Sequence, residues 1–154
     1  MAAALVLGAT GLPRRRITFM YLTWTAATLA VAGYGLATAR WHLVVAAALV
    51  NGLEAAGTIA WATTKQRLVP AALLGRVSSL DWFISIAGLP VSYALTAPAA
   101  ALLGARHALV LAGVLGAVAT LAALFLPGML AAEADVVAEP AAVAAGADLG
   151  RAAA

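Results

Sequence analysis

Between Trp41 and Thr64 the only Asp, Glu, Lys or Arg is Glu54, close to the middle of an otherwise apolar run. Asn51, Glu54, Thr58 and Trp61 recur at intervals of three, four and three, which places them on one side of a helix. A carboxylate on one stripe with an amide and a hydroxyl can carry a proton, face a cation or line a polar path. It can equally pair with Lys or Arg from a neighbouring helix and do no more than that. If the run crosses a membrane, an ionised acid at its centre costs at least about 2.5 kcal/mol, so Glu54 must be protonated, paired or wet. Thr18, Tyr21, Thr25 and Thr28 form a second stripe at helical spacing. Here the better reading is hydrogen bonding between helices that holds a bundle together. Asp81 follows Ser78 at the capping-box spacing, just before an apolar run, and is expected to cap a helix N-terminus.

Other chemistries find no support. With no Cys there is no disulfide scaffold, Cys-ligated zinc, iron–sulfur cluster or thiol nucleophile. Neither a His-Glu-x-x-His helix nor a Gly-x-Ser-x-Gly turn is present, and His42, Glu54, Asp81 and His107 fall at different levels of the chain. The expectation is therefore no enzyme, no metal and no cofactor, with the lipid bilayer rather than nucleic acid as partner.

The elements that must position these residues follow from composition. Of 154 residues, 65% are hydrophobic and 10% charged, and the mean hydropathy is +1.02. Soluble domains carry about 25% charged residues, so polar groups cannot cover this surface, and the class expected is an all-α integral membrane protein. Two runs, 17–39 and 82–105, are free of charge and span roughly 35 Å each as helix. A third, from His107, ends near Pro127 and Gly128. With the run around Glu54 these give four spans, at about 17–39, 41–64, 79–104 and 107–127, within a transmembrane region of residues 1–128. Pro90 and Pro98 are expected to kink the third span, whose Ser85, Gly88, Ser92 and Thr96 share a face. In the fourth, Ala112, Gly116 and Thr120 recur at fours. Small residues so spaced let helix backbones approach closely. The apolar stretch 1–12 is half a span long and is followed, not preceded, by arginines, so it reads as the end of a helix rather than a secretory signal.

The net charge of +3 hides an uneven division: residues 1–130 hold eight basic and two acidic groups, residues 131–154 one and four. The alanine-rich acidic segment 129–154 is expected to be a disordered cytoplasmic tail. Six cations lie before the first span and between the second and third (Arg14, Arg15, Arg16, Lys65, Arg67, Arg76), against Arg40 and Arg106 in the alternate connections. The positive-inside rule puts the six, and with them the C-terminus, in the cytoplasm. Richness in Ala and Gly, with one Lys among many Arg, suits a bacterial cytoplasmic membrane.

Two stretches carry a family resemblance. The run Gly8-Ala9-Thr10-Gly11-Leu12-Pro13-Arg14-Arg15-Arg16 resembles the degenerate second copy of the loop motif of major facilitator superfamily transporters. The run Lys65-Gln66-Arg67-Leu68-Val69-Pro70 through Gly75-Arg76-Val77-Ser78-Ser79 resembles a cytoplasmic loop of that superfamily's multidrug and siderophore exporters. The resemblance covers residues 1 to about 128. It implies that the four spans are the ninth to twelfth helices of a twelve-helix transporter, part of its C-terminal six-helix bundle, with 1–12 as the stub of the eighth. It further implies proton-coupled efflux of a small-molecule substrate, a missing N-terminal half as partner, and a cavity lined by the second span with Asn51, Glu54 and Thr58. Arg14, Arg15, Arg16, Gly75 and Arg76 would be its loop-motif residues. The acid usual in the first motif is absent between Gly8 and Arg16. From another class comes the alternative of a stand-alone four-helix membrane module that scaffolds or oligomerises, or an inactive gene remnant.

Overall fold

In the computed structural model, which describes residues 15–129 together with Ala9, Pro13, Glu133 and Ala134, the described residues form helices joined by short turns, with no strand among them. The helices are α1 (Arg16–Leu36), α2 (Arg40–Leu68), α3 (Ala71–Ala87), α4 (Leu89–Leu103) and α5 (Ala105–Leu124). Of the expected stub at 1–12 only Ala9 is described, and Arg14 and most of the tail lie outside the described residues.

Three helices are long and apolar enough to cross a membrane: α2, the run Ala71–Leu103 formed by α3 and α4, and α5. The first expected span is not among them. Its helix, α1, has 21 residues, but Thr18, Tyr21, Thr23, Trp24, Thr25, Thr28 and Tyr34 dilute its apolar character. It is instead the most enclosed helix, burying Ile17, Met20, Thr23, Ala27, Ala32 and Gly35 between α2 on one side and α5 on the other.

The boundaries have local causes. His42, in the first turn of α2, accepts the backbone N–H groups of Thr38 and Ala39 through Nδ1 at 3.1 and 3.2 Å, which fixes the entry to the helix. Only Val69 and Pro70 separate α2 from α3. The Val69 N–H closes α2 on the Lys65 carbonyl, and Pro70, pre-set in φ and lacking an N–H, starts α3. The expected cytoplasmic loop at 65–79 is thus mostly helix, and Asp81 stands well inside α3, almost three turns past its start. The capping-box reading of Ser78 and Asp81 is therefore wrong: the cap position belongs to Pro70. Between α3 and α4, Pro90 interrupts the ladder at Gly88, whose backbone stays helical at φ −74° and ψ −21°. Gly104, at φ +80°, makes the turn into α5, a conformation L side chains rarely adopt.

Small residues set the packing. A Cβ on Gly113 of α5 would lie 3.0 Å from the Thr28 carbonyl oxygen and 3.1 Å from Ala32 Cα, so α1 and α5 cross with their backbones almost touching. Gly35 meets α5 again at Val110, and on the α2 side Gly57 receives the indole of Trp24 while Gly33 faces Ala46. These pairs make α2 and α5 both antiparallel to α1. The buried positions of α5 are Gly113, Ala117 and Leu124; the face therefore centres one residue beyond the expected Ala112, Gly116 and Thr120, although Gly116 still faces Thr28, whose Cβ would lie 3.6 Å from a Cβ added there. No large side chain among the described residues is fully buried. Close backbone approach rather than bulky apolar filling holds α1 in place, which suits helices solvated by lipid.

A second tie is non-local. Glu133, itself buried, accepts the N–H groups of Ile17 at 3.0 Å and Thr18 at 2.9 Å, along with the Thr18 hydroxyl. Tyr21 adds a hydroxyl bond to Met129 Sδ at 3.8 Å. A carboxylate at the positive end of α1 satisfies two of the donors every helix start leaves open. Replacing Glu133 with Ala is expected to cost about 1 kcal/mol, the usual worth of a helix cap. Hydrogen exchange at the Ile17 and Thr18 amides should accelerate while mid-helix amides of α1 stay protected; equal exchange in both proteins would remove this role.

Candidate functional site

The candidate site is built on α2. Asn51, Glu54 and Thr58 are exposed, about a third of a turn around the helix from Ala46, Gly57, Ala60 and Thr64, the residues it buries. Their line continues through Trp61 to Lys65, one and two turns further on. There it meets α3: Asp81 accepts Trp61 Nε1–H at 3.0 Å and the Lys65 ammonium at 2.9 Å on the same oxygen. The ammonium also lies 5.7 Å from the centre of the Trp61 ring. Of α3, only Leu74, Ser78 and Asp81 are even partly covered, and from Trp82 to Pro98 every residue is exposed. Hence the two helices touch near the Val69–Pro70 turn and part beyond Asp81. Glu54, two turns below Trp61 on the same stripe, faces the angle between them.

The far wall of that angle carries Ser85, Gly88, Ser92 and Thr96 on the line from Asp81. Ser85 donates to the Asp81 carbonyl at 2.8 Å and Thr96 to the Ser92 carbonyl at 2.7 Å, so these hydroxyls are satisfied within their own helix. The side chain of Asn51 is tied in the same way, to the Ala47 carbonyl at 2.8 Å. Glu54 differs: the one ion pair among the described residues is Lys65–Asp81, and Glu54 has no share in it.

The structure does not gather the other sequence-selected residues here. Arg15 is exposed before α1, Arg76 is exposed on α3, and Gly75 has open space where a Cβ would stand. The described cations do collect at helix ends: Arg15, Arg16, Lys65, Arg67 and Arg76 at one end of the bundle, Arg40 and Arg106 at the other. The threonine stripe of α1 turns towards α5, but Thr28 bonds the carbonyls of Trp24 and Thr25 within its own helix, and the members that reach across are Thr18, to Glu133, and Tyr21, to Met129. Sequence reasoning missed the Trp61, Lys65 and Asp81 cluster, although Trp61 and Lys65 lie four apart on the stripe it had found. A hollow lies elsewhere, a groove of about 580 Å³ between the end of α1 and the start of α2, lined by Leu29, Gly33, Leu36, Trp41, Val45 and Leu49. It is apolar and holds none of the selected polar residues. Among the described residues no group of His, Asp and Glu could hold a metal ion.

Compared with known proteins, the chain matches no family model, no curated protein and no solved structure.

Proposed function

We propose that the chain is the C-terminal part of a proton-coupled exporter of small molecules, of the major facilitator type, embedded in a bacterial cytoplasmic membrane with its C-terminus inside. The observation that carries this reading is the outward polar stripe of α2. A membrane-length helix that turns Asn51, Glu54 and Thr58 away from its own bundle needs water, substrate or protein on that side, because lipid pairs with none of them. Three membrane-length helices and the clustering of cations at one end support the setting and the orientation. In this reading α2 is a cavity wall, Glu54 exchanges the proton, and Asn51 and Thr58 orient substrate or water beside it.

Export requires a second bundle that rocks against this one, so the chain reconstituted alone should not transport. The test is made in everted membrane vesicles that hold the chain with its complementary helices. Glu54→Gln, which keeps shape and loses the titrating proton, is expected to abolish substrate uptake driven by a pH gradient. Uptake equal to wild type across the pH range would end the reading. The stand-alone scaffolding module is the second reading, favoured by the bare α3–α4 run; it predicts that no complementary helices restore transport.

A further inference from the structure

The open angle between α2 and α3–α4 has a chemical asymmetry that selects its occupant. Helices joined by two residues ordinarily pack along their length as an antiparallel pair. Here they are joined at Val69 and Pro70, pinned by Asp81, and then diverge, leaving a space wide enough that no residue from Trp82 to Pro98 is covered. Both walls are within membrane-length helices. The α3–α4 wall is lined by small residues, Ser85, Gly88 and Ser92, which allow another helix to approach closely. The α2 wall presents Glu54, a carboxylate with no described cation beside it. The nearest cation on its stripe, Lys65, is three turns away, roughly 16 Å along the axis, and is already held by Asp81.

A second copy of the chain cannot supply the missing charge. Residues 17–39, 41–64, 82–105 and 107–150 contain no Lys or Arg at all, so every cation near the membrane sits at a helix end. Lipid tails supply none either. We infer that the angle between α2 and α3–α4 seats a transmembrane helix from outside this sequence that carries a Lys or Arg at the depth of Glu54. The small-residue wall sets how closely the helix approaches, and the acid sets its register. The inference rests on the membrane reading of α2 and α3–α4 and adds to it the chemistry of the missing neighbour: packed on the α3–α4 wall, that helix forms the opposite side of the polar path along α2, and its cation is the partner Glu54 gains and loses as it exchanges the proton.

The chain lacks Cys, so Ala94→Cys provides a unique attachment point for a fluorophore on the exposed side of α4 away from Ser85, Gly88 and Ser92. The labelled chain is inserted in phosphatidylcholine vesicles and titrated with synthetic helices of about 21 Leu and Ala residues, long enough to span, with Lys at the centre, Lys at one end, or no Lys, each bearing an acceptor dye. The central-Lys helix is expected to associate about tenfold more tightly than the other two, a difference of about 1.4 kcal/mol. Glu54→Gln should bring all three to the same affinity. A circular-dichroism check that this variant stays helical, and its retained binding of the Lys-free helix, separate loss of the charge from loss of the fold. Equal affinities in the wild-type chain, an advantage that survives Glu54→Gln, or displacement of the probe by self-association would each overturn the seat. Failure of the chain to insert in the vesicles would instead overturn the membrane reading beneath it.

Discussion

Gly113→Leu is expected to separate α1 from α5 and to be among the most damaging single substitutions in the bundle. The atoms that a new Cβ would meet are backbone: the Thr28 carbonyl oxygen, the Ala32 nitrogen at 2.6 Å and Ala32 Cα. None can rotate aside as a side chain would, so the whole of α1 must move. Overpacking costs about 1–3 kcal/mol in interiors that can adjust, and a rigid backbone contact belongs at or above the upper end of that range. Moving α1 would also lift Gly35 from Val110 and draw Ile17 and Thr18 away from Glu133. In detergent, thermal unfolding should begin well below the wild-type temperature, and a disulfide engineered between α1 and α5 should fail to form. Gly52→Ala is the control, since nothing lies within 4 Å of the added carbon and a helix interior gains about 1 kcal/mol from the exchange. Equal unfolding temperatures for wild type and Gly113→Leu would refute the account of this crossing.

The second large effect is on geometry. Asp81→Ala removes the acceptor that both Trp61 and Lys65 use to hold α3, and no other side-chain bond joins α2 to α3 among the described residues. The Lys65 and Asp81 side chains are 12% and 30% exposed, so the pair is partly screened and its loss is worth about 1–2 kcal/mol. The consequence for shape is out of proportion to that figure, because a two-residue turn becomes the remaining restraint. Spin labels at Thr58→Cys and Ser85→Cys should report one narrow distance in the parent chain and a broad distribution after Asp81→Ala. Lys65→Met should fall between the two, since Trp61 still donates. An unchanged distribution in Asp81→Ala would mean that the turn alone sets the angle.

Much of this architecture was legible in residue order. Charge-free runs, Pro127 with Gly128, and the arginines between runs placed most helix ends to within a few residues, because hydropathy and helix-breaking chemistry are local properties; the exception is the start of α3, at Ala71 rather than 79. The polar stripe of α2 was equally readable, since helical periodicity alone defines a face. Three features were not. Asp81 looked like a cap because the preceding residues, Lys65 to Ser79, are polar enough to resemble a loop; Pro70 shows where α3 begins, but only once helix is admitted on both sides of it. Glu133 caps a helix more than a hundred residues away, and no spacing rule reaches that far. On α5 the choice between the faces centred on Ala112 and on Gly113 depends on where α1 lies, which the periodicity of α5 does not contain. The lower apolarity of α1, by contrast, lies in its own residues: Thr and Tyr hold it below the helices long and apolar enough to cross a membrane, and such a helix can still be central to a bundle.

The central position of α1 fixes a schedule for biosynthesis. Its two flanks are covered by helices made at very different times: α2 follows it directly from the ribosome, whereas α5 is the last described helix to appear. At roughly 5–20 residues per second, the interval between synthesis of Thr28 and of Gly113 is about four to seventeen seconds. Throughout that interval the face of α1 made of Thr28, Ala32 and Gly35 is finished but uncovered, open to any passing small-residue helix. Misassembly is therefore concentrated in one window of translation, and ribosome pausing between α2 and α5 would lengthen it in direct proportion.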